Sequence, residues 1–557
     1  MDKYDMVVVG AGWHGLVAAK VYLELHPDEK LLVLEAEGSC GGTWSQNRLY
    51  PGLKSNNLLG TYEYPDYPMT TETYGVKPGE HIPAAALHRY LTDFAKKFGV
   101  FARTRFNTKV TSIEALGNGQ WRVSISSEQS VEQLETKKII LASGLTSQPN
   151  MPSYVGMKDF AAPIFHAKDF CRNGDTVNTA KKAVIVGGAK SAMDAAYAYA
   201  TNGVEVDMVI RENGNGPVWI SYPWVMGGKK RLEQLLAVRW MTWFSPCIFG
   251  GVDGYSWIRN FLHGTTVGRF VVKQFWSGLE GEVVEKNGYA SNPELQKLQP
   301  WNSAFWIGSG LSIHNYDTDF FQMVKDGRVR VHSKVDVDHL TKHNVHLTNG
   351  EILSADVLVA ATGWRKEPAI DFVNFGDAGI GLALSEEDQK RLATAADEKV
   401  LTKFPRLRDQ PALNFKQSKS PFRLYRYIVP PALKARRNIA FAGLVSSVIT
   451  STAASVQALW ISAFLDGQLD YEASSPEDVT DEVMLHTQWN KWRHPTGYGA
   501  SLPDFAFDGL PYIDLMMKDL GLKVNRKPGV LADITVPYGP PDFAGIVDEW
   551  REQHSKS

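Results

Sequence analysis

Residues 6–35 read MVVVGAGWHGLVAAKVYLELHPDEKLLVLE, and this stretch decides the fold. The apolar run at 6–9 predicts a buried parallel strand, and GAGWHG follows it at 10–15. Helical spacing over 16–25 predicts a helix, after which a second apolar run ends on Glu35. A strand, a glycine turn, a helix and a strand in this order predict a unit that binds a dinucleotide.

The three glycines of this turn have separate roles in such a unit. Gly10 permits the tight turn, Gly12 lets the backbone approach a pyrophosphate, and Gly15 lets the helix pack close to the strand. The N-terminus of the helix presents unpaired N–H groups to the phosphates. Glu35 stands where a carboxylate accepts hydrogen bonds from ribose hydroxyls, so we expect a nucleotide with a free ribose here.

The same pattern recurs in the second third of the chain. AVIV at 183–186 predicts a strand, GGAKSA at 187–192 a turn with a helix after it, and the next strand ends on Arg211. A guanidinium binds a 2′-phosphate that a carboxylate would repel, and Lys190 adds a second cation. This unit is therefore predicted to bind NADPH, although Glu212 beside the arginine leaves NADH open. The residues predicted at this nucleotide are Gly187, Ala189, Lys190, Ser191 and Arg211.

Two nucleotide units in one chain predict hydride transfer from a nicotinamide to a flavin, which places FAD in the first unit. The chain has 557 residues, of which 44% are hydrophobic and 22% charged, as in soluble globular proteins. A net charge of -2 argues against nucleic-acid binding. Three cysteines, no predicted secretory signal and no predicted metal site lead us to expect a cytoplasmic protein.

Further motifs resemble those of the class B flavin monooxygenases, which include flavin-containing monooxygenases, Baeyer–Villiger monooxygenases and fungal relatives. GGTW at 41–44 resembles the second FAD motif of that family. FAAPIFHAKDF at 160–170 is similar to the signature that links the two domains, with Ala162 where the family has glycine. AATGW at 360–364 and IAFAG at 439–443 resemble two later segments.

The resemblance covers about residues 1–470 and implies an α/β fold with two Rossmann-like dinucleotide-binding domains. The NADPH domain, expected at 166–330, would be inserted into an FAD domain split between 1–165 and 331–470. An aromatic insertion at 217–319 is expected to cover the substrate. Residues 471–557 lie outside the common motifs, and their aromatic content predicts a packed extension of unknown role.

The glycine turns and the resemblance together identify two sets of site residues. Those predicted at FAD are Gly10, Gly12, Gly15, Glu35, Gly42, Thr43, Trp44, Asn56, Val110, Gly443 and Gln457. Those predicted to link the domains are Phe160, His166, Phe170, Thr362 and Gly363.

The resemblance also implies the chemistry. NADPH reduces FAD, the reduced flavin traps O2 as a C4a-(hydro)peroxide, and one oxygen atom enters a small, apolar organic substrate. LKSNN at 53–57 resembles the flavin-containing monooxygenase segment whose asparagine lies near flavin, so Asn56 is the predicted catalytic residue and Asn57 its alternative. This favours oxygenation of a heteroatom or carbon.

Two alternatives remain open. Baeyer–Villiger enzymes carry aspartate at this place and an arginine farther along, where GSGLS at 308–312 has none and His314 is a possible substitute or a structural histidine. A flavin reductase of the disulfide type would need a cysteine pair beside flavin, and Cys40 has no partner nearby in sequence.

The stretch most like a membrane segment is residues 235–252. It contains Arg239 and Pro246, so we do not expect it to span a bilayer. With the nearby aromatic residues it is predicted to be a buried cover over the substrate pocket. The alternative is a peripheral membrane patch flanked by the basic residues 229–231.

Overall fold

A computed structural model describes residues 2–127, 130–308, 310–376, 379–415, 422–473 and 475–555. Ser309, part of the GSGLS segment at 308–312, lies outside these residues. The first dinucleotide unit is built on a mainly parallel sheet around Asp2–Val9, which pairs with Leu31–Leu34 on one side and Val131–Leu141 on the other. The further strands of this sheet are Thr104–Arg105, Lys109–Ala115, Trp121–Ser126, Asp371–Val373 and Ile439–Phe441.

The order of elements in the first unit is the one predicted from the glycine turn. Helix Trp13–Leu25 follows the turn. Its residues are apolar on nearly every side, so the helix is buried between neighbouring elements. It packs against helix Thr450–Asp466, which is also buried over most of its length. These two helices and helix Ala84–Lys97 share one core with the sheet.

The second unit is a five-stranded parallel sheet, and its extent differs from the prediction. Its order is Ile164–His166, Val357–Ala360, Lys182–Val186, Glu205–Ile210 and Val329–Ser333. Strand Ile164–His166 spans the boundary expected at 165/166, so that boundary is wrong. Val357–Ala360 lies inside this sheet, so the boundary expected at 330/331 is wrong as well.

The physical reason for the second correction is a shared core. The small antiparallel sheet of Val337–Thr341, Asn344–Leu347 and Ile352–Ser354 buries Leu340, Val345 and Leu347 against the back of the five-stranded sheet. The chain therefore returns to the first unit only after Ala360.

The aromatic insertion forms a layer of helices over the two units. Its strands Trp219–Ser221 and Leu311–Ile313 pair with each other, and strands Trp224–Val225 and Lys230–Arg231 form a hairpin. Its longest helix, Thr266–Asn287, buries Trp276 against Phe244, Phe305 and Phe507. The other helices of this layer are Leu232–Leu235, Arg239–Thr242, Ser256–Gly264 and Pro293–Gln296.

The C-terminal extension packs between this cover and the first unit. Arg239 of the cover is fully buried and pairs with Asp514 at 2.6 Å and with Asp533 at 3.0 Å. On the other side, strand Asp504–Phe505 pairs with Ser446–Ser447. The helices of the extension are Pro476–Arg493, Gly509–Asp519, Val530–Thr535 and Ile546–His554.

Helix Lys190–Thr201 follows the second glycine turn. The remaining α-helices are short or peripheral, and they are Thr71–Tyr74, Thr176–Thr179, Phe320–Lys325 and Glu386–Lys403. Strands Lys54–Leu58 and His81–Pro83 form a hairpin, and Gln148–Pro149 pairs with Trp364–Arg365. None of the helices in the described ranges is long and apolar enough to cross a bilayer.

Candidate cofactor and substrate site

The first glycine turn opens into a cavity of about 560 Å³. Gly10 has a φ of +105°, and a Cβ there would lie 2.4 Å from the Ala142 carbonyl oxygen. A Cβ at Gly15 would lie 1.9 Å from the Gly10 oxygen, so this position requires glycine for packing. A Cβ at Gly12 would meet only Gly42 among the described residues, with the Gly42 Cα atom 3.5 Å away. Gly12 also lines the cavity, so its backbone is accessible to a ligand.

Glu35 lies at the end of strand Leu31–Leu34 and borders the same cavity. One carboxylate oxygen accepts a hydrogen bond from the Ala11 amide at 2.6 Å, and the other accepts one from the Glu37 amide at 2.8 Å. Burial raises the pKa of this carboxyl, and the two amide bonds oppose that rise. The side chain therefore braces the turn as well as facing the cavity.

The remaining predicted FAD residues divide into two groups. Gly42, Thr43, Trp44, Val110 and Gly443 line the first cavity. Gln457 does not, since its amide oxygen accepts a bond from the Gly443 N–H at 2.8 Å and its amide nitrogen lies 3.1 Å from the Tyr512 hydroxyl. Gln457 thus supports the Gly443 turn from the side away from the cavity. It does not line the cavity, so the direct contact with FAD that the sequence predicts is not supported.

His14 is a residue of this cavity that the sequence reasoning missed. Its ring packs so closely on Gly443 that a Cβ there would lie 2.6 Å from the ring. Its Nε2 atom is buried and has no hydrogen-bond partner in the described part of the chain. Burial lowers its pKa to about 4, so the ring is neutral at pH 7. A large polar residue inside a glycine fingerprint was the signal available in the sequence.

The second glycine turn borders a cavity of about 510 Å³. A Cβ at Gly187 would lie 2.5 Å from the Ala361 oxygen, so this turn is as tight as the first. Ala189, Ser191 and Arg211 line the cavity with it. Among the residues that the structure covers, none accepts a hydrogen bond from the Arg211 guanidinium or forms an ion pair with it. This cation is therefore available to a ligand.

Lys190, the predicted second cation, lines the same cavity as Arg211, but its charge is already paired within the protein. Its ammonium pairs with Asp194 and lies 4.4 Å from the centre of the Tyr316 ring. Asp194 also accepts hydrogen bonds from the hydroxyls of Tyr50 and Tyr316, each at 2.8 Å. The lysine is held in this network because the carboxylate one helical turn away neutralises it.

A third cavity, of about 300 Å³, lies where the two units meet. It shares Thr43, Trp44 and Arg48 with the first cavity. It shares Asn56, Lys190 and Trp364 with the second, so the three spaces adjoin one another.

Asn56 lines both the second and the third cavity, and the third adjoins the first. It belongs to strand Lys54–Leu58, and its side-chain oxygen lies 3.5 Å from the Ser312 hydroxyl. Asn57, the alternative, donates its amide to the Val448 carbonyl at 2.9 Å and is fixed by that bond. Asn56 is the better placed of the two for chemistry.

Arg48 is a second residue that the sequence reasoning missed. Its guanidinium lies 5.1 Å from the centre of the Trp364 ring and lines both the first and the third cavity. Burial lowers its pKa, and no carboxylate of the described chain forms an ion pair with it. The only sequence signal was a basic residue shortly after GGTW.

The linking residues form the two crossings between the units. The His166 ring accepts a bond from the Lys168 N–H through Nδ1 at 3.1 Å, so Nε2 carries the proton and donates to the Gly363 carbonyl at 3.0 Å. The Thr362 hydroxyl donates to the Asn150 carbonyl at 2.7 Å. Phe170 packs on Tyr50, and Phe160 packs behind the second sheet.

The aromatic cover adds an apolar recess to the second cavity. Trp219, Ile307 and Leu311 line both that cavity and a small apolar one of about 30 Å³. In the segment 235–252, predicted to be a buried cover over the substrate pocket, Phe244 stacks on Phe275 at 4.0 Å, but no residue of the segment lines these cavities. His314 stacks on Tyr222 at 4.4 Å, lines none of these cavities, and has a buried Nε2 atom without a hydrogen-bond partner among the described residues.

Comparisons with known proteins agree with this arrangement. A profile of the pyridine nucleotide-disulphide oxidoreductase family matches residues 7–235. The chain is 33% identical over 573 residues to the FAD-dependent monooxygenase rstn6 of Aspergillus nomiae, with 98% of each chain covered. It is 34% identical to an FAD-dependent monooxygenase of Pyrenophora dematioidea, over 95% of this chain and 100% of that one.

Solved structures share the fold. The cyclohexanone monooxygenase of Rhodococcus sp. Phi1, bound to NADP+, superposes with a TM-score of 0.62 at 16% identity, covering 93% of this chain and 98% of that one. An S-allyl-L-cysteine S-oxygenase from Allium sativum superposes with a TM-score of 0.54 at 14% identity, covering 100% and 94%.

Proposed function

This chain belongs to the class B flavoprotein monooxygenases, and from that premise we propose that it uses FAD and NADPH to insert one oxygen atom from O2 into a small apolar molecule. The observation that carries the proposal is the set of three adjoining cavities, two of them bordered by a glycine turn and the third by Asn56. A binding protein would not need two nucleotide sites joined in this way.

The residues of the first cavity fit FAD. Gly10 and Gly12 leave room for a pyrophosphate at the N-terminus of helix Trp13–Leu25, and Glu35 faces the space where a ribose would lie. The buried Nε2 of His14 offers a polar contact that the protein itself leaves unused. When bound and reduced, FAD supplies the activated oxygen.

The residues of the second cavity fit NADPH. Arg211 would bind the 2′-phosphate bidentately, since no carboxylate in the described chain neutralises it. His166, Thr362 and Gly363 line the side of the cavity nearer the first unit. They hold the crossing between the units, so they would fix the position of the nicotinamide relative to the flavin.

Asn56 would orient the oxygen donor and the substrate. Its amide both donates and accepts, and it carries no charge that would remove a proton from a neighbour. This supports oxygenation of a nitrogen, sulfur or carbon atom. The cover excludes water from the recess beside it, which strengthens every polar contact made there.

Arg48 supports Baeyer–Villiger insertion into a ketone as the second candidate. Its cation lines the cavity shared by the two units and has no ion-pair partner in the described chain. A guanidinium there would stabilise negative charge on an oxygen that attacks a carbonyl. The disulfide reductase alternative finds less support, because burial raises the pKa of Cys40 to about 12 and keeps that thiol protonated.

The test is NADPH oxidation by the purified yellow protein with a panel of apolar amines, thioethers and ketones under ¹⁸O2. We expect one substrate class to accelerate NADPH oxidation and to yield a product carrying a single ¹⁸O atom. A product from the amine or thioether arm supports the first candidate, and an ester or lactone supports the second. NADPH oxidation with no labelled product from any arm would contradict the proposal.

A further inference from the structure

Two helices of the cover expose an unusual number of large apolar side chains. Helices Ser256–Gly264 and Thr266–Asn287 form a tight hairpin, since a Cβ at Gly268 would lie 2.0 Å from the Phe261 oxygen. Solvent reaches 71% of Trp257 and 61% of Phe270. The other exposed apolar residues of this hairpin are Phe261, Val267 and Val271.

The charged side chains at the exposed end of this hairpin, within residues 254–279, are of one sign. Residues 254–279 contain no aspartate or glutamate. Arg269 and Lys273 lie on the same part of the second helix as Phe270, and the third cation, Arg259, is buried against Asp253. The exposed surface is therefore apolar with cations beside it and without carboxylates of its own. We call residues 257–273 the apolar hairpin.

A neighbouring element extends this surface. Helix Val530–Thr535 exposes Val530 and Leu531. Its Asp533 accepts a hydrogen bond from the hydroxyl of Tyr255, at the start of the hairpin. Several large apolar side chains exposed on neighbouring elements favour an interaction site over ordinary surface.

We propose that the apolar hairpin docks this enzyme on an anionic lipid bilayer. Helices that lie in a membrane interface combine aromatic and aliphatic residues on the buried side with lysine and arginine near the headgroups, which is the combination seen here. A second copy of the chain fits less well. A two-fold dimer would bring Arg269 and Lys273 of each copy onto the same cationic surface, with no carboxylate of the hairpin to pair with them.

The hairpin also connects the proposed lipid surface to the substrate recess. Helix Thr266–Asn287 carries Phe270 at the exposed end and Leu279 and Val283 at the small apolar cavity. At about 1.5 Å per residue, Phe270 and Leu279 are separated by about 14 Å along the helix. A membrane-dissolved substrate would thus meet the cover at its apolar end, a consequence that rests on the proposed function, whereas the docking itself does not.

The experiment is co-sedimentation of the full-length holoenzyme with lipid vesicles. We expect binding to phosphatidylcholine vesicles that contain phosphatidylserine, weaker binding at high salt, and little binding to phosphatidylcholine alone. The double variant Trp257→Ser/Phe270→Ser should lose most of the binding. Lys273→Gln should weaken it on the order of fivefold.

Ile352→Ser is the matched control, because Ile352 is 60% exposed on the small sheet of the second unit. FAD content and melting temperature establish that each variant is folded. Binding that is absent in the wild type, or that is equal in the hairpin and control variants, would overturn the proposal. So would a stable dimer in solution that Trp257→Ser dissociates. Loss of oxygenase activity alone would not, because vesicle binding is measured without turnover.

Discussion

The two dinucleotide units share a backbone pattern and differ at the few positions that face the ligand. In the first, Glu35 ends the second strand and accepts hydrogen bonds from the amides of Ala11 and Glu37. In the second, Arg211 ends the equivalent strand and finds no partner within the described chain. The comparison teaches that strand and turn geometry create the same kind of site twice, while the residue after the strand gives the two sites opposite charge, which we propose selects the nucleotide.

The helices after the two turns differ as well. Gly15 allows the first helix to approach so closely that a Cβ would collide with the Gly10 oxygen. Ala192 stands at the matching place in the second turn and is fully buried there without collision. His14 in the first turn corresponds to Ser191 in the second, so only the first cavity has a neutral imidazole at the start of its helix.

The largest effect should come from blocking either turn. Gly12→Leu would place a side chain in the first cavity, where little except Gly42 is near, so the protein should fold and contain no FAD. Ala189→Leu is the matched change in the second turn, and it should keep FAD while abolishing reduction by NADPH. Flavin absorbance and anaerobic reduction measure both outcomes. A yellow Gly12→Leu protein would break the assignment of the first unit.

Asn56, where the cavities of the two units meet, should give the next largest effect. Removal of one preorganised donor near developing charge typically costs about 2.7–4 kcal/mol in the affected step. Asn56→Ala should bind FAD and accept hydride normally, but release hydrogen peroxide in place of oxygenated product. Asn57→Ala is the control, since Asn57 is already bonded to Val448. If Asn56→Ala forms as much product per NADPH oxidised as the wild type does, Asn56 has no catalytic role.

Coenzyme choice sharpens the contrast between the two strand ends. Arg211→Gln removes one charged contact to a 2′-phosphate, which is worth about 1.5–3 kcal/mol, or tenfold to a hundredfold in affinity. We expect kcat/KM for NADPH to fall by that factor and the value for NADH to change little. Lys190→Gln should shift the preference much less, because Asp194 already holds that ammonium. Equal use of both coenzymes by the wild type would contradict the role of Arg211.

The smallest effect concerns pH and His14, which the second unit replaces with serine. Its pKa is lowered from 6.5 to about 4 in the folded chain, so the unfolded chain binds more protons between these values. Stability from the neutral ring is therefore present above pH 6.5 and lost as the pH falls towards 4. Between pH 6.5 and 5 the loss is at most about 2 kcal/mol. Urea unfolding midpoints of wild type and His14→Gln should converge over this interval, and parallel pH curves would refute the shift.

Much of the fold followed from sequence because glycine turns impose strict local geometry. Gly10, Gly15 and Gly187 sit where a Cβ would collide with backbone, so the pattern could be recognised without a structure. The domain boundary near 330 could not be predicted in the same way. Strand Val357–Ala360 is apolar on both faces and would suit either sheet, and only its pairing with Lys182–Val186 assigns it to the second.

Parts of the site depend on contacts between distant segments and were beyond sequence reasoning. Lys190 lies in a nucleotide turn, yet Asp194, Tyr50 and Tyr316 determine where its charge is used. Gln457 was expected at the cofactor and instead supports Gly443. Arg48 and His14 were missed because their importance comes from unsatisfied polar groups inside a cavity, which a linear pattern does not reveal.

The buried pairing of Arg239 with Asp514 and Asp533 has a consequence for how the protein is made. The guanidinium leaves the ribosome long before its carboxylates, and at about 5–20 residues per second the delay is about 15–60 s. During that time an unpaired charge cannot be buried at acceptable cost, so the cover should stay open. The two nucleotide units are then accessible to their cofactors while the chain is still growing, and the pocket closes only after Asp514 and Asp533 have been synthesised.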